Sequence, residues 1–286
     1  MDAKIEPQAF MLCNEFNGLL SLASTVKSIG WGAFYNLSKI TGDLQIPEGI
    51  SIIENQTFTN LGCKGRLKIP LSIKIISVSA FEGSGFTGEL NLPENLEMIG
   101  NNAFANCKGF TGPLTIPSKV KTIEYDTFFN CIGFNGSLTL PSSIESIGDS
   151  AFYNCNHLTG DLIIPSKVRT IDSNAFAKCS AFNGQLKLPS SLQTIGNQSF
   201  LGCSSLTGSL IIPSEVRTLG EKAFEGCRKL NGKLELNGKF TNIEESTFSG
   251  CSGLTGDLII PDQVTSIGKS AFRSCSKLTG NLILPS

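Results

Sequence analysis

The chain has 286 residues with 23 basic and 24 acidic side chains, so its bulk charge recruits neither nucleic acid nor an anionic membrane. One histidine and three methionines are few for an enzyme of this length, and no stretch approaches the ~20 apolar residues of a membrane span. Hydrophobic residues at 40% are ample for a core, and 30 glycines with 12 prolines indicate a backbone that turns often.

The first residues, MDAKIEPQAFMLC, do not read as a signal peptide, because Lys4, Glu6 and Pro7 interrupt the apolar run one requires. They already belong to a repeat. Ile5 to Cys13 matches Ile123 to Cys131, with Phe10 opposite Phe128. From there the chain is a series of copies aligned on a glycine: Gly18, Gly42, Gly65, Gly88, Gly112, Gly136, Gly160, Gly184, Gly208, Gly232, Gly256 and Gly280. Nine of the eleven spacings are 24 residues and two are 23. Sixteen residues after each glycine from Gly18 to Gly256 stands a phenylalanine, from Phe34 to Phe272, and five before each Phe is an Ile, or Leu219 in one copy. A period held this strictly marks a solenoid.

One copy, Leu158 to Ala181, shows the physics. Leu162 and Ile164 point to one face of a short strand and Asp161 and Ile163 to the other. Pro165 suits the strand's end because it cannot donate to a ladder. Val168 and Ile171 supply a second inward pair, and Ala175, Phe176 and Cys179 a compact third side that Leu158 closes. No single coil can enclose these groups, so neighbours must stack. In both 23-residue copies the missing residue lies between the Phe and the next Gly, which places deletions in the outer arc.

Copies before Gly112 diverge most: Glu48-Gly49-Ile50 and Leu71-Ser72-Ile73 depart from the P-S-x-V pattern, and Trp31 appears once. From Gly112 onward, copies with Thr-Gly and an Ile before the Pro position alternate with copies that carry Asn-Gly and a Leu there, a 48-residue super-period that reads as duplication of a two-coil unit.

The pattern G-x-L-x-[IL]-P-x-x-[VIL]-x-x-I-G-x-x-A-F-x-x-C-x-x-L resembles the BspA-like (Treponema pallidum-type) leucine-rich repeat, over essentially the whole chain from Ile5 to Pro285. The T-G/N-G pair is similar to protozoan surface members of the trichomonad type. The resemblance implies an α/β-type repeat solenoid: a curved leucine-rich-repeat stack with a parallel concave β-sheet. It would hold about twelve coils of 23 to 24 residues, strand-rich, with short helical or irregular convex segments. The expected organisation is a single solenoid over 1–286, with a partial first coil 1–17, full coils 18–279 and a partial last coil 280–286. Neither end carries an obvious cap, so the expectation is a fragment of a longer array or a protein whose ends meet a partner, with self-association through the uncapped ends.

Ten cysteines invite a disulfide or metal reading. Nine stand three residues after the Phe, but Leu37, Leu61 and Ser84 fill the same slot elsewhere, which a small buried site accepts and a covalent ladder does not. Cys63 lies outside this series, in the slot of Leu158. Without a C-x-x-C pair, and with His157 alone, neither a metal site nor any cofactor is expected. The thiols read as free and buried. The Phe series reads as core stacking, and His157 as a surface residue without catalytic partners. Sequons at Asn36, Asn55, Asn135 and Asn197 permit glycosylation of a secreted chain.

The ligand-binding expectation falls on the outward positions of the first strand. One column contains Asp161, Gln185, Ser209, Lys233 and Asp257, and its neighbour Ile163, Lys187, Ile211, Glu235 and Ile259. Isoleucines between charges suit protein contact, although they are also good β-formers on a solvated sheet. A basic stripe, Lys119, Lys121, Lys167, Arg169 and Arg217, is interrupted by Glu145 and Glu215 and reads as a solvated edge. The sequence-based reading is therefore a non-enzymatic protein-binding module. The resemblance implies cell-surface or secreted adhesion through the concave sheet, with a host or extracellular-matrix protein as partner. The alternative is an intracellular scaffold or regulatory interaction protein, consistent with the missing signal peptide.

Overall fold

The structure is a computed structural model and describes residues 2–285. The chain forms two compact units divided between Pro141 and Ser142, and each is a parallel β-solenoid, of about twelve turns in all, built from one repeated coil. A coil runs through a short first strand such as Leu162–Ile163, a proline turn, a second strand such as Thr170–Ile171, and a run of turns around the phenylalanine.

The helical convex segments and the α/β class are not borne out: no helix occurs among the described residues. The reason lies in the turns. In every coil the residues two before and two after the Phe have positive φ, for example Asn174 at 56° and Lys178 at 63° around Phe176. A left-handed residue ends any helix at once, and it costs a non-glycine residue ~1–2 kcal/mol. The hydrogen bonds that result offset that cost. N–H groups of Asn174, Phe176 and Lys178 donate to Asn197, Ser199 and Leu201 of the next coil, while those of Ala175, Ala177 and Cys179 donate three residues back within their own coil. Half the segment's donors therefore stitch coils together, as strands would. Asn or Gly fills the second left-handed position in nine of the twelve coils.

The core follows the repeat. In the second unit Phe152, Phe176, Phe200, Phe224, Phe248 and Phe272 stack with ring centres 5.2 to 5.8 Å apart and planes within 13° of parallel. The first unit carries the same series from Phe10 to Phe128. It adds a second column, Phe86, Phe110 and Phe134, which fills the slot of Leu158 and meets the first edge-on.

The two-coil super-period has a structural counterpart. Strands of a Thr-Gly coil pair in register with those of the Asn-Gly coil that follows: Leu162 with Leu186, Leu210 with Leu234, Leu114 with Leu138. At the next junction the pairing slips by two residues to single bridges, Gln185 with Thr207 and Lys233 with Thr255. There Thr207 donates through N–H and Oγ1 to the Gly184 carbonyl, at 2.9 and 3.2 Å. In return, Asn183 Oδ1 accepts from Gly160 N and Asn231 Oδ1 from Gly208 N, both at 2.9 Å. Thr and Asn before the glycine thus perform different tasks, and the alternation is more than a trace of duplication.

Candidate binding surface

All ten expected contact residues lie in the second unit, and all are exposed. In each first strand the leucine turns inward, Leu162 1% and Leu210 1% exposed, so the residue after it must face out. Ile163 stands beside Lys187 and Ile211 beside Glu235 on paired strands, and the three isoleucines retain 48 to 54% of their surface. The second column is partly committed to structure. Asp161 Oδ1 accepts from Gln185 N at 2.8 Å, Asp257 Oδ1 from Asn281 N at 2.6 Å, and Ser209 Oγ from Lys233 N at 3.1 Å. These three side chains cap the coil that follows. Gln185 and Lys233 keep their side chains on the surface, and their backbones form the slipped bridges. The outward row is therefore Ile163, Lys187, Ile211, Glu235 and Ile259.

Other expected features fall as follows. All ten cysteines are unbridged; eight are buried, Cys13 is exposed and Cys275 half-buried. In the Phe-linked series Cys107, Cys131, Cys179, Cys203, Cys227, Cys251 and Cys275 each donate to the carbonyl of a Phe in the preceding coil, as Cys179 does to Phe152 at 3.0 Å and Cys203 to Phe176 at 3.2 Å. Burial pushes the Cys107 and Cys203 thiols up to about 12 and that of Cys63 to about 11, so all three stay protonated. Among the described residues no group of three or more His, Cys, Asp or Glu side chains is arranged to hold a metal ion. Nor is any helix long and apolar enough to cross a membrane. His157 is exposed. In the basic stripe, Lys119 donates to Asn95 Oδ1 at 3.0 Å. Glu215 pairs with Lys239 at 2.7 Å, a bond that holds its carboxyl below the usual range. Sequon residues Asn55, Asn135 and Asn197 are exposed and Asn36 is half-buried.

Coils that bury their aromatic and aliphatic residues and leave one strand row free define a parallel β-solenoid scaffold of the leucine-rich-repeat class. The chain belongs to the family described as BspA type leucine-rich repeat region, whose six-copy profile matches residues 3–135, 111–231 and 183–286. No curated protein is significantly similar to it. Among solved structures it resembles a leucine-rich repeat protein of Bacteroides ovatus, with 26% identity over 96% of this chain and 68% of that one and a TM-score of 0.64. It also resembles the leucine-rich repeat protein of T. pallidum, at 31% identity over 58% of this chain and 77% of that one, TM-score 0.52. A leucine-rich repeat protein of Eubacterium ventriosum, at 23% identity over 95% of this chain and 80% of that one, TM-score 0.54, shares the fold.

Proposed function

We propose that the chain is a non-enzymatic binding module that takes up a protein partner on the outward row Ile163, Lys187, Ile211, Glu235 and Ile259, flanked by Gln185 and Lys233. One observation carries this reading: three isoleucines about half exposed, each two coils from the next, with opposite charges between them. Lone exposed apolar residues are ordinary on protein surfaces, whereas an aligned row interleaved with charges is what an interface needs for burial and for register. Membership of the BspA type family supports a cell-surface or secreted role in adhesion, with a host or extracellular-matrix protein as partner. Unbridged cysteines favour an intracellular scaffold instead, and biotinylation of intact source cells separates the two locations.

The experiment is capture from matrix and cell lysate by the wild-type chain beside the Ile163→Asp/Ile211→Asp variant. Both residues are exposed, so the variant should melt as wild type does. The expected result is a protein held by wild type and released by the variant, with affinity at least ~tenfold weaker. Equal capture by both removes the row from consideration.

A further inference from the structure

A second surface lies on the second-strand side of the first unit. There Ile52, Ile75 and Met98 form the outward column of a three-stranded parallel sheet, paired in sequence. Beside them runs a column of turn residues, Trp31, Asn55, Val78, Asn101 and Tyr125. Each is linked to the next through the carbonyl that accepts from the preceding coil: Gly32 N to Asn55, Gln56 N to Val78, Ser79 N to Asn101 and Asn102 N to Tyr125. Trp31, Ile52, Val78, Met98 and Tyr125 are 37 to 49% exposed.

Nothing in the fold demands apolar groups there. In the second unit the same backbone positions carry Thr170, Thr194 and Thr218 in the strand column and Ser173, Asn197 and Glu221 in the turn column. The coil therefore forms equally well with polar residues, and the apolar ones are retained for something outside the chain.

The chemistry of the patch alternates by coil. Coils bearing Val78 and Tyr125 also bear Lys74 and Lys121 four residues earlier, across the strand column; the coil between bears Glu97 and Asn101. Lys74 and Lys121 are exposed, and neither makes a salt bridge among the described residues. In the turn column apolar residues thus recur every second coil, at Trp31, Val78 and Tyr125, the last two each with an unpaired cation, ~9.6 Å apart at ~4.8 Å per strand, while Ile52, Ile75 and Met98 continue the apolar surface through the coils between.

We infer that this face binds an extended, acidic peptide segment in the polyproline II conformation. Such a helix repeats every three residues at ~3.1 Å per residue, or ~9.3 Å, close to the two-coil spacing. A β-strand repeats a given face every ~6.7 Å, out of step with the anchors. Aromatic side chains at the ends, Trp31 and Tyr125, supply the flat walls against which such segments pack. The lysines specify acidic side chains on the adjacent row of the peptide, and they disfavour a second copy of this chain, whose own lysine column would face them.

The test is fluorescence anisotropy of the full chain with a labelled peptide of six Leu-Glu-Pro repeats. The comparison peptides are its Leu-Lys-Pro counterpart and a helical heptad peptide of equal charge. Saturable binding is expected for Leu-Glu-Pro, at least ~tenfold weaker binding for the other two, and a similar loss in Trp31→Ala/Tyr125→Ala and in Lys74→Glu/Lys121→Glu. Ile163→Asp/Ile211→Asp should bind the peptide as wild type does, which keeps this surface distinct from the proposed row. Thermal melts of each variant identify any that has lost its fold, and Lys74→Glu/Lys121→Glu alters only exposed side chains. Absent binding, equal binding of the lysine peptide, preference for the helical peptide, or self-association abolished by Trp31→Ala/Tyr125→Ala would each overturn the assignment.

Discussion

Each coil centres on a phenylalanine whose ring touches its own kind above and below, so its loss opens a cavity that rigid neighbours cannot fill. Phe176 is fully buried between Phe152 and Phe200, and Phe176→Ala should lower the unfolding free energy by ~3–5 kcal/mol, measured by chemical denaturation. A melt like that of wild type would place the ring outside the core. The thiols make a second prediction, in pH. Burial raises the Cys203 and Cys107 thiols to about 12 in the fold, well above the ordinary thiol range, so the folded state holds their protons more tightly than the unfolded chain does. That stabilisation is complete below pH ~9 and declines as pH rises through the folded pKa. The midpoint of denaturation should therefore fall between pH 9 and pH 12, and less steeply in Cys203→Ser. An equal slope in the variant would show that this thiol ionises as freely in the fold as out of it. Spacing alone revealed both features, because identical slots filled by Cys, Leu and Ser describe a small buried site whatever the path of the chain.

At the level of the coil, one glycine position is occupied for two different reasons. Gly160 sits at φ 84°, with nothing within 4 Å of where a Cβ would stand; Gly184 lacks positive φ, but a Cβ there would lie 2.7 Å from the backbone nitrogen of Asp161. Gly160→Ala should cost the ~1–2 kcal/mol of a left-handed residue, and Gly160→Asn less, since Asn tolerates that region. Gly184→Ala and Gly184→Asn should be equally damaging, because either Cβ forces adjacent coils apart. Urea midpoints for the four variants decide this; rescue by Asn at 184 would contradict it. Much of this was hidden in the sequence. Thr-Gly and Asn-Gly look like interchangeable turn dipeptides until the direction of their hydrogen bonds is known. The residues two either side of the Phe, such as Asn174 and Lys178, carry no motif in the sequence, and the resemblance to the repeat family leaves room for a short helix there. Their left-handed backbone is enforced by pairing with the next coil, a non-local demand that a single coil's composition records only as a bias toward Asn and Gly. Likewise the exposed row was visible as a period-2 pattern, whereas the capping roles of Asp161, Ser209 and Asp257 needed the neighbouring strand in place.

For the chain as a whole, stability should build coil by coil, but in steps of two. A solenoid's stability is roughly the sum of its repeats and their interfaces, so shortening it usually costs in proportion to what is removed. Between Gly160 and Gly256 the interfaces alternate between in-register pairing into an Asn-Gly coil and a slipped bridge into a Thr-Gly coil, whereas the last junction pairs Leu258 in register with Leu282 of a second Thr-Gly coil that offers no Asn. Deleting residues 161–208 removes one of each and leaves Gly160 followed by Ser209, so the next Asn-Gly coil still brings Asn231 to the freed glycine N–H. Deleting 161–184 removes half as much chain, yet it sets two Thr-Gly coils side by side and takes away Asn183, the acceptor for Gly160. The longer deletion should stay cooperative with a denaturant slope lower by about one sixth, in line with the surface lost. The shorter one should melt at the lower temperature despite keeping more core. Should the one-coil deletion prove the more stable of the two, the coils would be equivalent modules, and the alternation of Thr and Asn would carry no energetic weight.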